Sequence, residues 1–102
     1  MSPMSRSLEC LRKLGYHCEI VEHYNSFSRK RHDLWGWADI LALGPLHILA
    51  VQTTTRSNMA ARIKKIKASE TFPMVRALGV MVEVHGWGKV GGRWQVVIKE
   101  LA

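Results

Sequence analysis

The sequence has few cysteines, and its histidines show no metal-binding pattern. The two cysteines, Cys10 and Cys18, cannot form the disulfide framework of a small secreted domain. Five histidines are scattered along the chain with no HxxxH or HxH pair, and no second Cys/His pair accompanies the cysteines. These absences argue against a zinc site, and we expect both thiols to be free and buried.

Long hydrophobic runs are also missing. The longest apolar run, residues 40–51, contains Gly44, Pro45 and His47 and is too short to span a bilayer. The N-terminus lacks the apolar segment of a signal peptide. We therefore expect a soluble intracellular protein. At 102 residues, the chain has room for a single domain, residues 1–102, around one core.

Acidic residues are scarce relative to basic ones. Eight Asp and Glu face fifteen Lys and Arg, which gives a formal net charge of +7. Such an excess favours a polyanionic partner, and nucleic acid is the first candidate. An anionic membrane is the competing partner, but it requires a basic helix with bulky apolar residues on one face. The basic helix here offers only Met59, Ile63 and Ile66 on that face.

The spacing of apolar residues predicts three helices and five strands of an α/β domain. Helices are expected over residues 7–15, 58–68 and 71–78, and strands over 16–24, 35–43, 47–54, 80–84 and 94–101. Residues 25–33 are predicted to form a basic loop. Ser57 is the expected cap of the second helix, and Gly91 and Gly92 the expected turn of the last hairpin. The predicted order is αβββααββ.

Asp39 is the residue that most needs an explanation. It lies in an otherwise apolar strand, where a carboxylate is costly unless it is paired, hydrogen-bonded or bound to a metal. Gln52 and Thr54 lie two residues apart in the next strand, so both face one side of the sheet and could lie beside Asp39. A hydrogen-bonded Asp at a strand end is the structural alternative, and Gln52 and Thr54 alone are ordinary strand residues.

Basic residues flank this strand pair on both sides. Five of the twelve residues from 56 to 67 are basic, and three more precede the Asp39 strand. Such residues neutralise phosphates with little sequence preference. The predicted nucleic-acid-binding residues are Arg29, Lys30, Arg31, Arg56, Arg62, Lys64, Lys65, Lys89 and Arg93. The four tryptophans, Trp35, Trp37, Trp87 and Trp94, are candidates for stacking on bases, with core packing as the alternative.

Three segments together resemble the PD-(D/E)xK nuclease superfamily, in particular its archaeal Holliday-junction-resolvase-like and VRR-NUC-like branches. They are residues 8–16, 36–42 and 48–54, and the resemblance covers roughly residues 5–68. Small phage-encoded proteins of this type also resemble the tail around His85, Gly86 and Trp87. The resemblance implies a restriction-endonuclease-like core, with a mixed sheet flanked by helices, in the cytoplasm of a bacterial cell or a phage-infected host.

The resemblance also implies a site and a chemistry. Asp39, Gln52, Thr54 and Glu9 occupy the positions of the catalytic residues, and Asp39 and Gln52 those of the ligands of Mg²⁺ or Mn²⁺. The expected activity is endonucleolytic cleavage of DNA, including branched DNA, by a homodimer. An exposed helix carboxylate without a role at the site is the alternative for Glu9.

The sequence departs from the family twice. Gln52 replaces a carboxylate, and Thr54 replaces the lysine, for which Arg56, Arg62 and Lys65 are the nearest substitutes along the chain. Three hypotheses follow. The first is a metal-dependent endonuclease with an altered site. The second is a catalytically inactive DNA-binding module on the same fold, and the third is an oligomeric scaffold or inhibitor, indicated only by the many Trp and Met residues.

Overall fold

A mixed five-stranded sheet with three helices forms the framework of the protein. The computed structural model describes all residues 1–102. The elements in chain order are α1 (Pro3–Lys13), β1 (His17–Ile20), β2 (His23–Asn25), β3 (Lys30–His32), β4 (Ile40–Leu43), β5 (Ile48–Thr55), α2 (Met59–Lys67), α3 (Thr71–Ala77), β6 (Met81–Val90) and β7 (Arg93–Leu101). The expected mixed α/β architecture is confirmed, whereas the observed order, αβββββααββ, adds two short strands to the predicted one.

The strand order of the sheet is β1-β4-β5-β6-β7, and β2 and β3 form a separate hairpin. Strands β5 and β6 are parallel, and every other neighbouring pair is antiparallel. The chain crosses between β5 and β6 through α2 and α3, which is the usual way to join parallel neighbours. The central strand β5 is thus paired on both edges, and its side chains reach both faces of the sheet.

Apolar side chains cover both faces of this sheet. Because residues alternate along β5, Ala50 belongs to a cluster with α2 and α3, whereas Leu49 and Val51 belong to a cluster with α1. Trp37, Phe72 and Ile66 fill the first cluster. None of the three helices is long and apolar enough to cross a membrane.

Helix α1 begins earlier than its leucine spacing predicts. Ser2 is its N-cap, its hydroxyl accepts a hydrogen bond from the Ser5 amide at 3.1 Å, and Pro3 follows in the first turn. The expected cap of α2 is wrong, because Asn58 rather than Ser57 occupies that position and Ser57 lies in a short 3₁₀ turn. Cys18 is buried as expected, but Cys10 is only half-buried.

The segment between β1 and β4 differs most from expectation. The predicted strand over 16–24 breaks after Ile20, and the predicted basic loop contributes β3, which pairs with β2 through His23–His32. The strand predicted from residue 35 starts only at Ile40, because Trp35 and Gly36 have positive φ values of 59° and 78° and form a tight turn. A two-stranded hairpin therefore projects from the sheet immediately before β4.

A buried polar chain fastens α1 to β6. The indole Nε1 of Trp87 donates to Ser7 Oγ at 2.8 Å, and His85 Nδ1 lies 2.9 Å from the same oxygen. Ser7 Oγ accepts from Trp87, so its own proton is free to point to His85, whose Nε2 then donates to Glu83 at 2.9 Å. Ser7 and His85 are 0% and 1% exposed, which makes this serine structural rather than nucleophilic.

Replacing Ser7 by Ala should destabilise the fold. The change leaves Trp87 Nε1 and His85 Nδ1 buried without a partner, and one such loss costs about 1–3 kcal/mol. Urea denaturation of Ser7→Ala and of the control Ser57→Ala, which removes an exposed hydroxyl, measures the difference. Equal midpoints for the two variants would show that the Ser7 hydrogen bonds contribute nothing.

Candidate metal and nucleic-acid site

Asp39 is held at the start of β4 by the neighbouring strand β5. Its amide donates to the Val51 carbonyl at 2.8 Å, and the residue is 4% exposed. Its Oδ2 accepts three hydrogen bonds: from Gln52 Nε2 at 2.8 Å, from the Thr53 amide at 2.8 Å and from Thr53 Oγ1 at 3.1 Å. The carboxylate is therefore fixed in place by two consecutive residues of β5.

Two further carboxylates lie beside Asp39. Carboxylate oxygens of Glu22, Asp33 and Asp39 lie within 4.8 Å of one another. Glu22 directly precedes β2 and Asp33 directly follows β3, so the His23–His32 pair brings both to the base of the hairpin. We call these three residues the carboxylate group. Glu22 and Asp33 are eleven residues apart in the chain, and they lie close together because the basic segment between them folds into a hairpin.

The carboxylate group lines a pocket of about 210 Å³ at one end of the sheet. The N-terminus of α1, the hairpin, β5 and α2 all contribute to its wall. The lining residues are Ser2, Pro3, Met4, Glu22, Arg31, Asp33, Asp39, Gln52, Thr53 and Arg62. This wall is almost entirely polar, which suits an ion or a phosphate better than an apolar ligand.

The environment raises the pKa of Asp39 to about 7, chiefly because burial disfavours the charged form. The hydrogen bond from the Thr53 amide lowers this pKa, whereas Asp33, through its charge and a hydrogen bond, and the charge of Glu22 raise it. Arg31 pairs with Glu22 at 3.2 Å and partly neutralises the group. Near neutral pH, Asp39 therefore favours a proton or a cation beside it.

The donor set of this pocket fits a hard divalent cation. Carboxylate and amide oxygens are the protein ligands that Mg²⁺, Mn²⁺ and Ca²⁺ prefer. Gln52 is 2% exposed, its amide group reaches Asp39, and its Oε1 has no hydrogen-bond partner. A buried acceptor without a partner is costly, and here it belongs to the side chain that contacts the carboxylate group. A cation at this place would relieve the repulsion between the carboxylates.

The four predicted catalytic residues do not all meet. Asp39 and Gln52 are brought together as expected. Thr54 is buried, but it does not line the pocket, and Thr53 contacts Asp39 instead. Glu9 is exposed, pairs with Lys13 at 3.3 Å and lines a different, shallow pocket on α1, so the structure does not bring it to the carboxylate group.

Sequence reasoning missed Glu22, Asp33 and Thr53. Glu22 and Asp33 lie at the two ends of the basic segment. This placement was the sequence signal that could have indicated a shared site. Pairing of the two flanks into a hairpin would have placed both acids side by side. Thr53 was overlooked because its side chain points away from Gln52 along an ideal strand, whereas Asp39, just outside β4, reaches both residues.

Among the three basic residues expected to replace the family lysine, Arg62 lines the pocket. Arg56 instead lies against Gly88 and donates to the Gln95 carbonyl at 3.5 Å, and Lys65 is exposed on α2. Trp37 and Trp87 are buried in the core, which leaves Trp35 and Trp94 partly exposed. The guanidinium of Arg6 lies 4.1 Å from the Trp94 ring centre and covers one face of that ring.

Comparison with protein-family models, with curated proteins and with solved structures finds no match to this chain.

Substitution of Asp39 by Asn should remove a pH dependence of stability. The folded-state pKa lies above the usual 3.8, so the folded protein holds more protons than the unfolded chain between these values. The free energy of unfolding then falls as the pH rises from about 4 to about 7, by at most ~1.4 kcal/mol per pH unit. Denaturation in EDTA at several pH values should show a shallower fall in Asp39→Asn, and parallel curves would contradict the raised pKa.

Proposed function

We propose that the protein is a DNA-binding, divalent-cation-dependent endonuclease of the PD-(D/E)xK type, with a degenerate active site. The observation that carries this proposal is the pocket in which Asp39, two further carboxylates and Arg62 meet. The carboxylate group can hold a cation, and the neighbouring guanidinium can bind a phosphate. Enzymes that hydrolyse phosphodiesters use both features. We further propose that it acts in the cytoplasm, as a homodimer.

The arrangement of the elements supports the restriction-endonuclease-like assignment. Asp39 lies at the start of β4, Gln52 lies on its antiparallel neighbour β5, and a helix precedes and follows this strand pair. The family has an Asp and a (D/E)xK triplet at corresponding places. The placement of Asp39 and Gln52 on neighbouring strands supports the proposal, whereas the altered triplet, the extra hairpin and the position of Glu9 are differences from the family pattern.

In this proposal, Asp39 and Arg62 have different roles in the pocket. When bound, Mg²⁺ or Mn²⁺ supplies Lewis-acid polarisation of the phosphodiester. Asp39 is kept in position by Gln52 and Thr53, so that its carboxylate does not need to be ordered when substrate arrives. The guanidinium of Arg62 lines the same pocket and can stabilise charge on the phosphate.

Basic residues around the pocket supply the proposed DNA surface. Arg29, Lys30 and Arg31 lie on the hairpin, and Lys64 and Lys65 are exposed on α2 close in sequence to Arg62. Lys89 and Arg93 lie at the β6–β7 turn. These two strands form the edge of the sheet opposite β1. Side chains of this kind bind the phosphate backbone, and the affinity should fall steeply with salt.

A binding module without catalysis is the second candidate, and the β5 residues favour it. Gln52 carries no charge where the family has a carboxylate, and Thr54 is buried where the family has lysine. On this alternative the same basic surface binds DNA, and a cation does not lead to cleavage.

Cleavage should depend on Asp39 and Arg62. Labelled four-way junction, flap, single-stranded and duplex DNA are incubated with the protein in Mg²⁺, Mn²⁺ or EDTA. We expect cleavage of at least one substrate with a metal, its loss in Asp39→Asn, and a reduction of about 100- to 1000-fold in Arg62→Ala, because this variant removes the guanidinium proposed to stabilise charge on the phosphate.

Two exposed substitutions outside the pocket lining serve as controls. Glu70→Gln and Lys99→Ala remove one charge of each sign and should cleave like the unmodified protein. Binding without cleavage under every metal condition would favour the binding module. Cleavage that persists in Asp39→Asn would place the activity in another site or in a contaminating enzyme.

A further inference from the structure

The hairpin formed by β2 and β3 projects into solvent without a core of its own. Every residue from 23 to 32 is exposed, and the paired strands bond to each other rather than to the sheet. A two-stranded hairpin on its own is marginally stable in water. The side chains of residues 23–32 are therefore free to contact a partner.

The tip of this hairpin presents an aromatic ring. Phe27 is 99% exposed, more than any other large apolar side chain of the protein. The turn that carries it is ordered by Asn25, whose Oδ1 accepts hydrogen bonds from the Phe27 amide at 2.9 Å and from the Ser28 amide at 3.3 Å. A fully exposed phenyl ring on an ordered turn is free to contact a partner.

Three cationic residues follow this ring along the chain. Arg29, Lys30 and Arg31 follow within four residues, and Arg29 adopts a positive φ of 55° that ends the turn. The segment from 23 to 32 carries three Lys and Arg and no acidic residue. One aromatic ring next to three cations complements an unstacked base with its flanking phosphates.

We propose that this hairpin is a nucleic-acid-binding finger, in which Phe27 stacks on an unpaired base and Arg29, Lys30 and Arg31 bind the adjacent phosphates. The ligand class is DNA with unstacked bases, either single-stranded or at a branch point. Fully paired duplex lacks a free base face and can use the cations only.

The base of the finger connects this surface to the pocket. Glu22 and Asp33 belong to the carboxylate group, and Arg31 pairs with Glu22 across the hairpin. A DNA strand bound by Phe27 and the neighbouring cations would therefore lie close to the pocket that contains Asp39. The finger rests on the DNA-binding part of the proposed function, but it does not require that the DNA is cleaved.

Fluorescence anisotropy in EDTA, where hydrolysis is suppressed, tests the finger. The probes are labelled single-stranded DNA, a four-way junction and a blunt duplex of matched length. Phe27→Ala should weaken binding of the single strand by about 5- to 150-fold, since stacking on an aromatic side chain contributes ~1–3 kcal/mol per base. Duplex binding should change less than about twofold, because the cations that bind its phosphates are all retained.

The salt dependence of DNA binding distinguishes the contribution of the Phe27 ring from that of the cations. Phe27→Ala should leave the slope of log affinity against log salt unchanged, whereas the double variant Arg29→Ala/Lys30→Ala should reduce it by roughly 0.7 for each phosphate of the single strand that is no longer neutralised. Leu46→Ala is the matched control, because Leu46 is a 96% exposed apolar side chain on the β4–β5 turn. It should bind like the unmodified protein, and circular dichroism checks that all variants are folded.

Each outcome decides between the proposals. Unchanged single-strand affinity in Phe27→Ala, or an equal loss on single strand and duplex, overturns the finger and leaves the proposed nuclease intact. Absence of DNA binding by the unmodified protein at low salt overturns both, and binding to anionic lipid vesicles that Phe27→Ala abolishes would then identify a membrane-binding role instead. Phe27-dependent binding of unpaired DNA in EDTA, together with no cleavage of any substrate in Mg²⁺ or Mn²⁺, supports the finger and contradicts the nuclease.

Discussion

The buried carboxylate of Asp39 is the constraint on which the site depends. A charge at 4% exposure is tolerated only with strong compensation, and β5 provides it through Gln52 and Thr53. Compensation is incomplete, since burial and the two neighbouring acids still raise the pKa of Asp39 to about 7. The fold thus holds one carboxylate in a state that a proton or a cation would stabilise.

The hairpin completes this site by its connectivity. Its base supplies Glu22 and Asp33 to the carboxylate group, and the rest of it carries the cations and the exposed ring of Phe27. One short segment before β4 therefore combines the proposed ligand set with the proposed DNA-binding surface. The second and third carboxylates of the group come from this segment, because Gln52 on β5 carries no charge.

Much of the fold follows from the sequence, because its signals are local. The leucines of α1, the alternating valines of β6 and the glycine pair at 91 and 92 each indicate their element, and Asp39 with Gln52 follows from strand pairing. The hairpin was missed because its strands are three residues long and lack apolar alternation. Glu22 and Asp33 were missed with it. The position of Glu9 depends on the rotation of α1 about its axis, and this helix is held by the Ser2 cap and by the hydrogen bonds of the buried Ser7.

Diffraction from a crystal soaked in Mn²⁺ tests the central claim most directly. The anomalous signal of the metal locates it independently of any activity. The account predicts one peak within coordination distance of Asp39 together with Asp33 or Glu22, and loss of that peak in Asp39→Asn. A peak at Glu9 instead, or an empty pocket at millimolar Mn²⁺ and neutral pH, would contradict it.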